Sequence, residues 1–224
     1  MSDPMADDWS GARRATPPMS RPAGARHRGT GPSAAILGVL ARLSVVLLLG
    51  SGAFVWSSGE AAAPPPGGPF TLQDGDGKPV SDRDFRGKYM LVYFGYTFCP
   101  DACPTTLNAV ADALDRLGAK ADQIQAIFIT VDPKRDTPAV MKQYVAAFTP
   151  RLIGLTGSLE QIAQVAEEYR VYHVENRTGP GPNDYSIDHS SVLYVMGPDG
   201  GFIAAFRGDQ SGAEIADDLS ELMP

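Results

Sequence analysis

The sequence predicts an α/β fold, a three-layer sandwich with helices on both faces of a central sheet. Three observations predict it. Two dense apolar runs, Met90–Tyr96 and Ile124–Val131, read as strands buried on both faces. Patterns of helical period follow both runs, and such alternation implies parallel strands. Late in the chain, Ser190–Met196 and Gly201–Arg207 flank Gly-Pro-Asp-Gly, a hairpin that adds an antiparallel edge. The order β, α, β, α, (β), α, β-hairpin, α is that of a thioredoxin-like sandwich with a C-terminal hairpin and helix.

The elements are justified in turn. Phe70–Val80 contains a DGDG turn at 74–77 and reads as a small hairpin. Leu107, Val110, Ala111, Leu114 and Leu117 recur at helical spacing. Thr137-Pro138 opens the next helix with proline at its tolerated first position, and Val140, Met141, Tyr144, Val145 and Phe148 form its apolar face. Leu152–Leu155 is a short strand. Ser158 and Gln161 form a capping box for a helix carrying Leu159, Ile162, Ala166 and Tyr169. Residues 174–187 read as a polar loop containing Gly and Pro. Ser211 with Glu214 caps a last helix on Ile215, Leu219 and Leu222.

The chain divides into four stretches. Residues 1–33, rich in Arg, Pro, Ser and Gly, read as a disordered cytoplasmic tail. Residues 34–56 are apolar apart from Arg42 and read as a transmembrane anchor or signal segment. Their twelve Leu, Ile, Val and Phe residues each favour insertion by roughly 0.3–0.6 kcal/mol, which outweighs about 2.5–3.5 kcal/mol for the arginine. The AAA at 61–63 could serve as a cleavage site. Residues 57–69 form a Pro/Gly linker, and 70–224 the working domain. Arg13, Arg14, Arg21, Arg26 and Arg28 precede the apolar segment and place the N-terminus inside, the domain outside. That is an oxidising compartment in which disulfides persist. Residues 64–224 carry 13 basic and 22 acidic side chains, a formal charge of −9. A nucleic-acid partner, which needs a basic face, is excluded.

The only two cysteines, Cys99 and Cys103, stand in YFGYTFCPDACPTTL, residues 93–107. They lie where a buried strand ends and a helix is about to begin. This is the sheet edge at which chemistry gathers, and helix-start amides there favour a thiolate. Pro104 disfavours helical dihedrals at Cys103, so a turn with the regular helix beginning near Pro104 competes with a helical 99–103. Three uses of the pair stay open. A structural disulfide closing so short a loop removes little chain entropy. A redox pair is credible, although the usual spacer is two residues rather than three. A soft-metal site would want a third ligand. His189, in IDHSSVLYV, stands where a strand begins after a loop that this fold can bring beside Cys99. Asp188 would point the other way. His173 reads as a half-buried histidine near a helix end.

The segments YFGYTFCPDACPTTL, FITVDPKRDTP, LIGLTG and DHSSVLYVMGPDG, in this order and at these intervals, resemble the Sco/SenC family across about residues 68–223. The resemblance implies a membrane-tethered thioredoxin-like metallochaperone that binds one copper ion, Cu(I) or Cu(II), and helps assemble the dinuclear copper centre of cytochrome c oxidase. Carried onto this chain, the metal ligands are Cys99, Cys103 and His189. The implied partners are the copper-bearing oxidase subunit and a thiol reductant or another copper carrier outside the membrane. The implied location is a bacterial inner membrane crossed once, with the domain in the periplasm. Asp132 and Asp136 look like supports for the cysteine loop, or else helix caps. Phe98 departs from the histidine that many relatives have before the first cysteine. The rival reading is a thiol-disulfide oxidoreductase using the same cysteines. Ordinary thioredoxins place a cis-proline before the strand facing the thiols, whereas here Asp188-His189-Ser190 occupies that position.

Overall fold

The computed structural model describes residues 63–223. The tail and the apolar segment 34–56 lie outside the described residues. Among those described, no helix is long and apolar enough to cross a membrane.

Strands β1 (Thr71–Gln73) and β2 (Pro79–Ser81) form the small N-terminal hairpin. The central sheet is built from β3 (Tyr89–Gly95), β4 (Ile124–Thr130), β5 (Leu152–Leu155), β8 (Val192–Met196) and β9 (Phe202–Arg207). Its strand order is β5-β4-β3-β8-β9. Strands β3, β4 and β5 run parallel, while β8 and β9 are antiparallel. The helices are α1 (Ala102–Leu117), α2 (Pro138–Ala146), α3 (Leu159–Glu168) and α4 (Gly212–Leu222).

Side-chain alternation divides the sheet between two cores. Leu91, Tyr93, Ala126, Phe128, Leu193 and Val195 face one side, where α1, α2 and α4 supply Leu107, Met141 and Ile215. Met90, Val92, Phe94, Ile127, Ile129 and Tyr194 face the other, where α3 supplies Ile162 and Val165 and β1 supplies Leu72. Each fully buried Leu, Ile, Val, Phe or Met among them contributes roughly 1.5–3 kcal/mol by leaving water. The three-layer sandwich follows directly from strands that are apolar on both faces.

The helix starts are chemically specified. Thr137 accepts from the Val140 N–H, while Ser158 with Gln161 and Ser211 with Glu214 complete capping boxes. Helix α1 begins at Ala102, two residues before Pro104, so Cys103 is helical. Proline is tolerated there because first-turn amides have no intrahelical acceptor.

Residues 174–187, expected to be a loop, are largely a second hairpin. β6 (His173–Arg177) pairs antiparallel with β7 (Tyr185–His189). β6 escapes detection because Val174–Arg177 are all exposed and show no apolar alternation. His189 therefore ends β7, and β8 begins three residues later.

Candidate metal centre

Cys99 sits in the turn between β3 and α1, its N–H donating to the Tyr96 carbonyl at 3.2 Å. The side chain of Asp101, the residue before the helix, does not cap it. Instead the Cys103 N–H donates to Cys99 Sγ at 3.4 Å, so the sulfur takes the place of a capping oxygen. Cys103 is fully buried and Cys99 half-buried, and both are free thiols. A glycine at 95 is required behind them. A Cβ there would lie 2.6 Å from Cys103 Sγ and 2.8 Å from the Phe128 ring.

His189 approaches from the hairpin. Its Nδ1 lies 3.0 Å from the Ser190 carbonyl, which fixes the proton on Nδ1 by hydrogen-bond partner. Nε2 then carries the lone pair and faces Cys103 Sγ at 3.3 Å. Tyr96 and Tyr93 set their rings edge-on to the imidazole at 5.9 and 6.2 Å. One donor atom each from Cys99, Cys103 and His189 falls within 4.8 Å of the others. An ion binding sulfur at about 2.3 Å can bridge sulfurs up to about 4.6 Å apart, so only small side-chain rotations are needed. Two sulfurs and one neutral imidazole are a soft donor set, suited to copper or zinc and unsuited to magnesium or calcium.

The electrostatics separate the thiols. Donation from the Cys103 thiol is the largest influence on Cys99 and pulls it down to about 5; burial opposes this, and the Cys103 and Asp101 amides add to it. Cys103, as the donor and the more buried, is pushed up. Burial also raises Tyr93 to about 12, so its phenol stays protonated beside the sulfur.

Neither Asp132 nor Asp136 caps α2, a task Thr137 performs. Asp136, fully buried, accepts from the Thr97 N–H at 3.0 Å, the Thr97 hydroxyl at 2.6 Å and the Thr130 hydroxyl at 2.6 Å. It thus ties the cysteine loop to β4. Burial pushes its pKa above the usual carboxylate value, and these donors oppose the rise. Asp132 accepts from Arg135 Nε at 2.5 Å and from the Tyr185 hydroxyl at 2.8 Å.

Arg135 is a residue that sequence reasoning passed over. Its guanidinium donates to the Tyr185 and Asn183 carbonyls at 2.9 and 3.2 Å, and lies 3.6 Å from the Tyr185 ring centre. It also lies over the Phe98 ring, 4.6 Å from its centre. One side chain thereby clamps the cysteine loop to the histidine hairpin. The signal lay in FITVDPKRDTP, but nothing in the sequence shows which segments it joins. Asp188, as expected, points away: it is exposed and accepts from Asn176. His173 is not at a helix end but opens β6, directly opposite His189.

A SCO2 homolog, mitochondrial, of Bos taurus is 44% identical over 160 residues, covering 70% of this chain and 59% of that protein. The chain spans little more than half the length of such relatives, 52% for a human SCO1 homolog. The structure of Bradyrhizobium japonicum ScoI with copper bound is 45% identical at a TM-score of 0.64, covering 70% of this chain and 98% of that one. BsSco, described as a member of the Sco family of cytochrome c oxidase assembly proteins with a disulfide switch, is 27% identical at a TM-score of 0.55, covering 70% and 93%. The family described as SCO1/SenC matches residues 58–224, and the chain belongs to it.

Proposed function

We propose that this chain is a membrane-anchored copper carrier that helps assemble the dinuclear copper centre of cytochrome c oxidase. The observation that carries the reading is the convergence within 4.8 Å of Cys99 and Cys103, at the turn into α1, with His189, at the end of β7. Copper is the cargo, and the three residues are its ligands. Thiolates hold Cu(I), while the imidazole allows the same site to hold Cu(II). The Cys99 thiol, pulled down to about 5, is already a thiolate at neutral pH and needs no deprotonation to engage the ion. Residues 34–56 cross a bacterial inner membrane once, 1–33 remain inside, 57–69 act as a spacer, and 70–224 work in the periplasm. The copper-bearing oxidase subunit is the recipient, and a thiol reductant or another copper carrier outside the membrane prepares or loads the site.

Titration of the reduced chain with Cu(I) against a competing chelator tests this. One ion should bind, with binding lost in Cys99→Ser and weakened in His189→Ala. A wild type that fails to compete for copper would sink the proposal. The part-exposed Cys99 thiolate favours one second reading, a thiol-disulfide oxidoreductase in which Cys99 attacks and Cys103 resolves. Rapid reduction of a disulfide substrate without copper binding would select it.

A further inference from the structure

His173 and His189 are opposite one another in the β6–β7 register. Directly opposed residues of an antiparallel pair project to the same face, with Cβ atoms about 4.5–5.5 Å apart. That face is the inner one. Tyr185 and Ile187 alternate with His189 along β7 and are buried. Glu175, two residues beyond His173 and so on its face, reaches Lys134 of the β4–α2 loop at 2.8 Å. Within β6, His173 is half-buried while the four residues after it are exposed. A second imidazole therefore stands one strand away from the ring whose Nε2 meets Cys103 at 3.3 Å.

The two oxidation states of copper ask for different numbers of donors. Two thiolates and one imidazole satisfy Cu(I), whereas Cu(II) prefers a tetragonal set of four that includes nitrogen. We propose that His173 is a fourth metal ligand selective for Cu(II), entering beside His189 when the oxidised ion occupies the site. This rests on the copper-carrier reading. The His173 ring stands outside the cluster formed by the other three donors. It joins by rotating its side chain at the start of an edge strand, with no change in backbone pairing. The site thus counts imidazoles: one for Cu(I), two for Cu(II).

The test loads the full chain separately with Cu(I) and Cu(II), in wild type, His173→Ala and His173→Gln. Pulsed electron paramagnetic resonance of the Cu(II) form should detect two coupled imidazoles in wild type and one in either variant. Cu(II) affinity should fall at least about tenfold in the variants while Cu(I) affinity moves less than about twofold, since loss of even an outer-shell partner costs about tenfold or more. Variants that keep two imidazoles overturn the proposal. So does an equal loss of both affinities, which would make His173 a structural residue. Wild type that binds neither ion overturns the copper-carrier reading itself and brings this inference down with it, whereas binding intact in wild type and lost only in Cys99→Ser leaves the carrier reading standing alone.

Discussion

Cys99 and Cys103 share a turn but not an environment. Cys103 is wedged against Gly95 and Phe128 with no room behind it, while Cys99 is half-exposed and receives the amide of the helix start. Only a thiolate attacks an alkylating agent, so alkylation should select Cys99 and follow its deprotonated fraction. With that thiol near 5, the rate of iodoacetamide modification should hold from neutral pH down to about pH 5 and then fall, against about pH 8.5 for an ordinary thiol. Replacing Cys103 by Ala removes the largest lowering influence, so the midpoint should move upward. Mass spectrometry across the pH range reads both. A Cys99 midpoint near the ordinary value would refute this account of the pair. At the same scale, the sequence showed which residue types could bind a soft metal but not their inequality. That inequality depends on a missing Cβ at position 95, and on which neighbour donates to which.

Among the elements, the central strands were legible as unbroken apolar runs, and all four helices because each carries a regular apolar period or a capping pair. The β6–β7 hairpin was not. Its outer strand is exposed beyond His173 and carries one apolar residue, Val174, and its pairing joins residues 8 to 16 apart that no local pattern connects, from Arg177 with Tyr185 to His173 with His189. The sequence leaves the start of α1 open between a helical 99–103 and a helix from near Pro104; it falls at Ala102, because Pro104 forbids less in a first turn than in a helix interior. What positions the hairpin is Arg135, bonded to Asp132, Asn183 and Tyr185 and lying over Phe98. Arg135→Ala should loosen residues 183–189 in hydrogen exchange and weaken Cu(I) binding by about 10–100-fold, the range for outer-shell partners. Arg135→Lys should recover little, because an ammonium lacks the planar fork that serves two carbonyls and two rings. Unchanged exchange in the hairpin would show that the clamp is not what holds His189.

At the scale of the whole molecule, Cys103 and His189 are 86 residues apart in the chain yet in contact. They belong to different parts of the fold, one to the start of a helix packed on the central sheet, the other to the end of a two-stranded ribbon. An ion shared between them is a removable rivet, closing the same kind of long loop that a disulfide closes. Ligand bound only by the folded state stabilises it by about 2.7 kcal/mol when present at about 100 times its dissociation constant. Copper should therefore raise the melting temperature and slow hydrogen exchange in residues 173–189 more than in β3 or β4, and His189→Ala should abolish the local part of that gain. If exchange slowed evenly across the domain, the ion would not be fastening the ribbon. On the copper-carrier proposal, delivery is also an unfastening: the step that surrenders the cargo leaves the ribbon free, so a loaded and an emptied molecule present different surfaces to whatever they meet next.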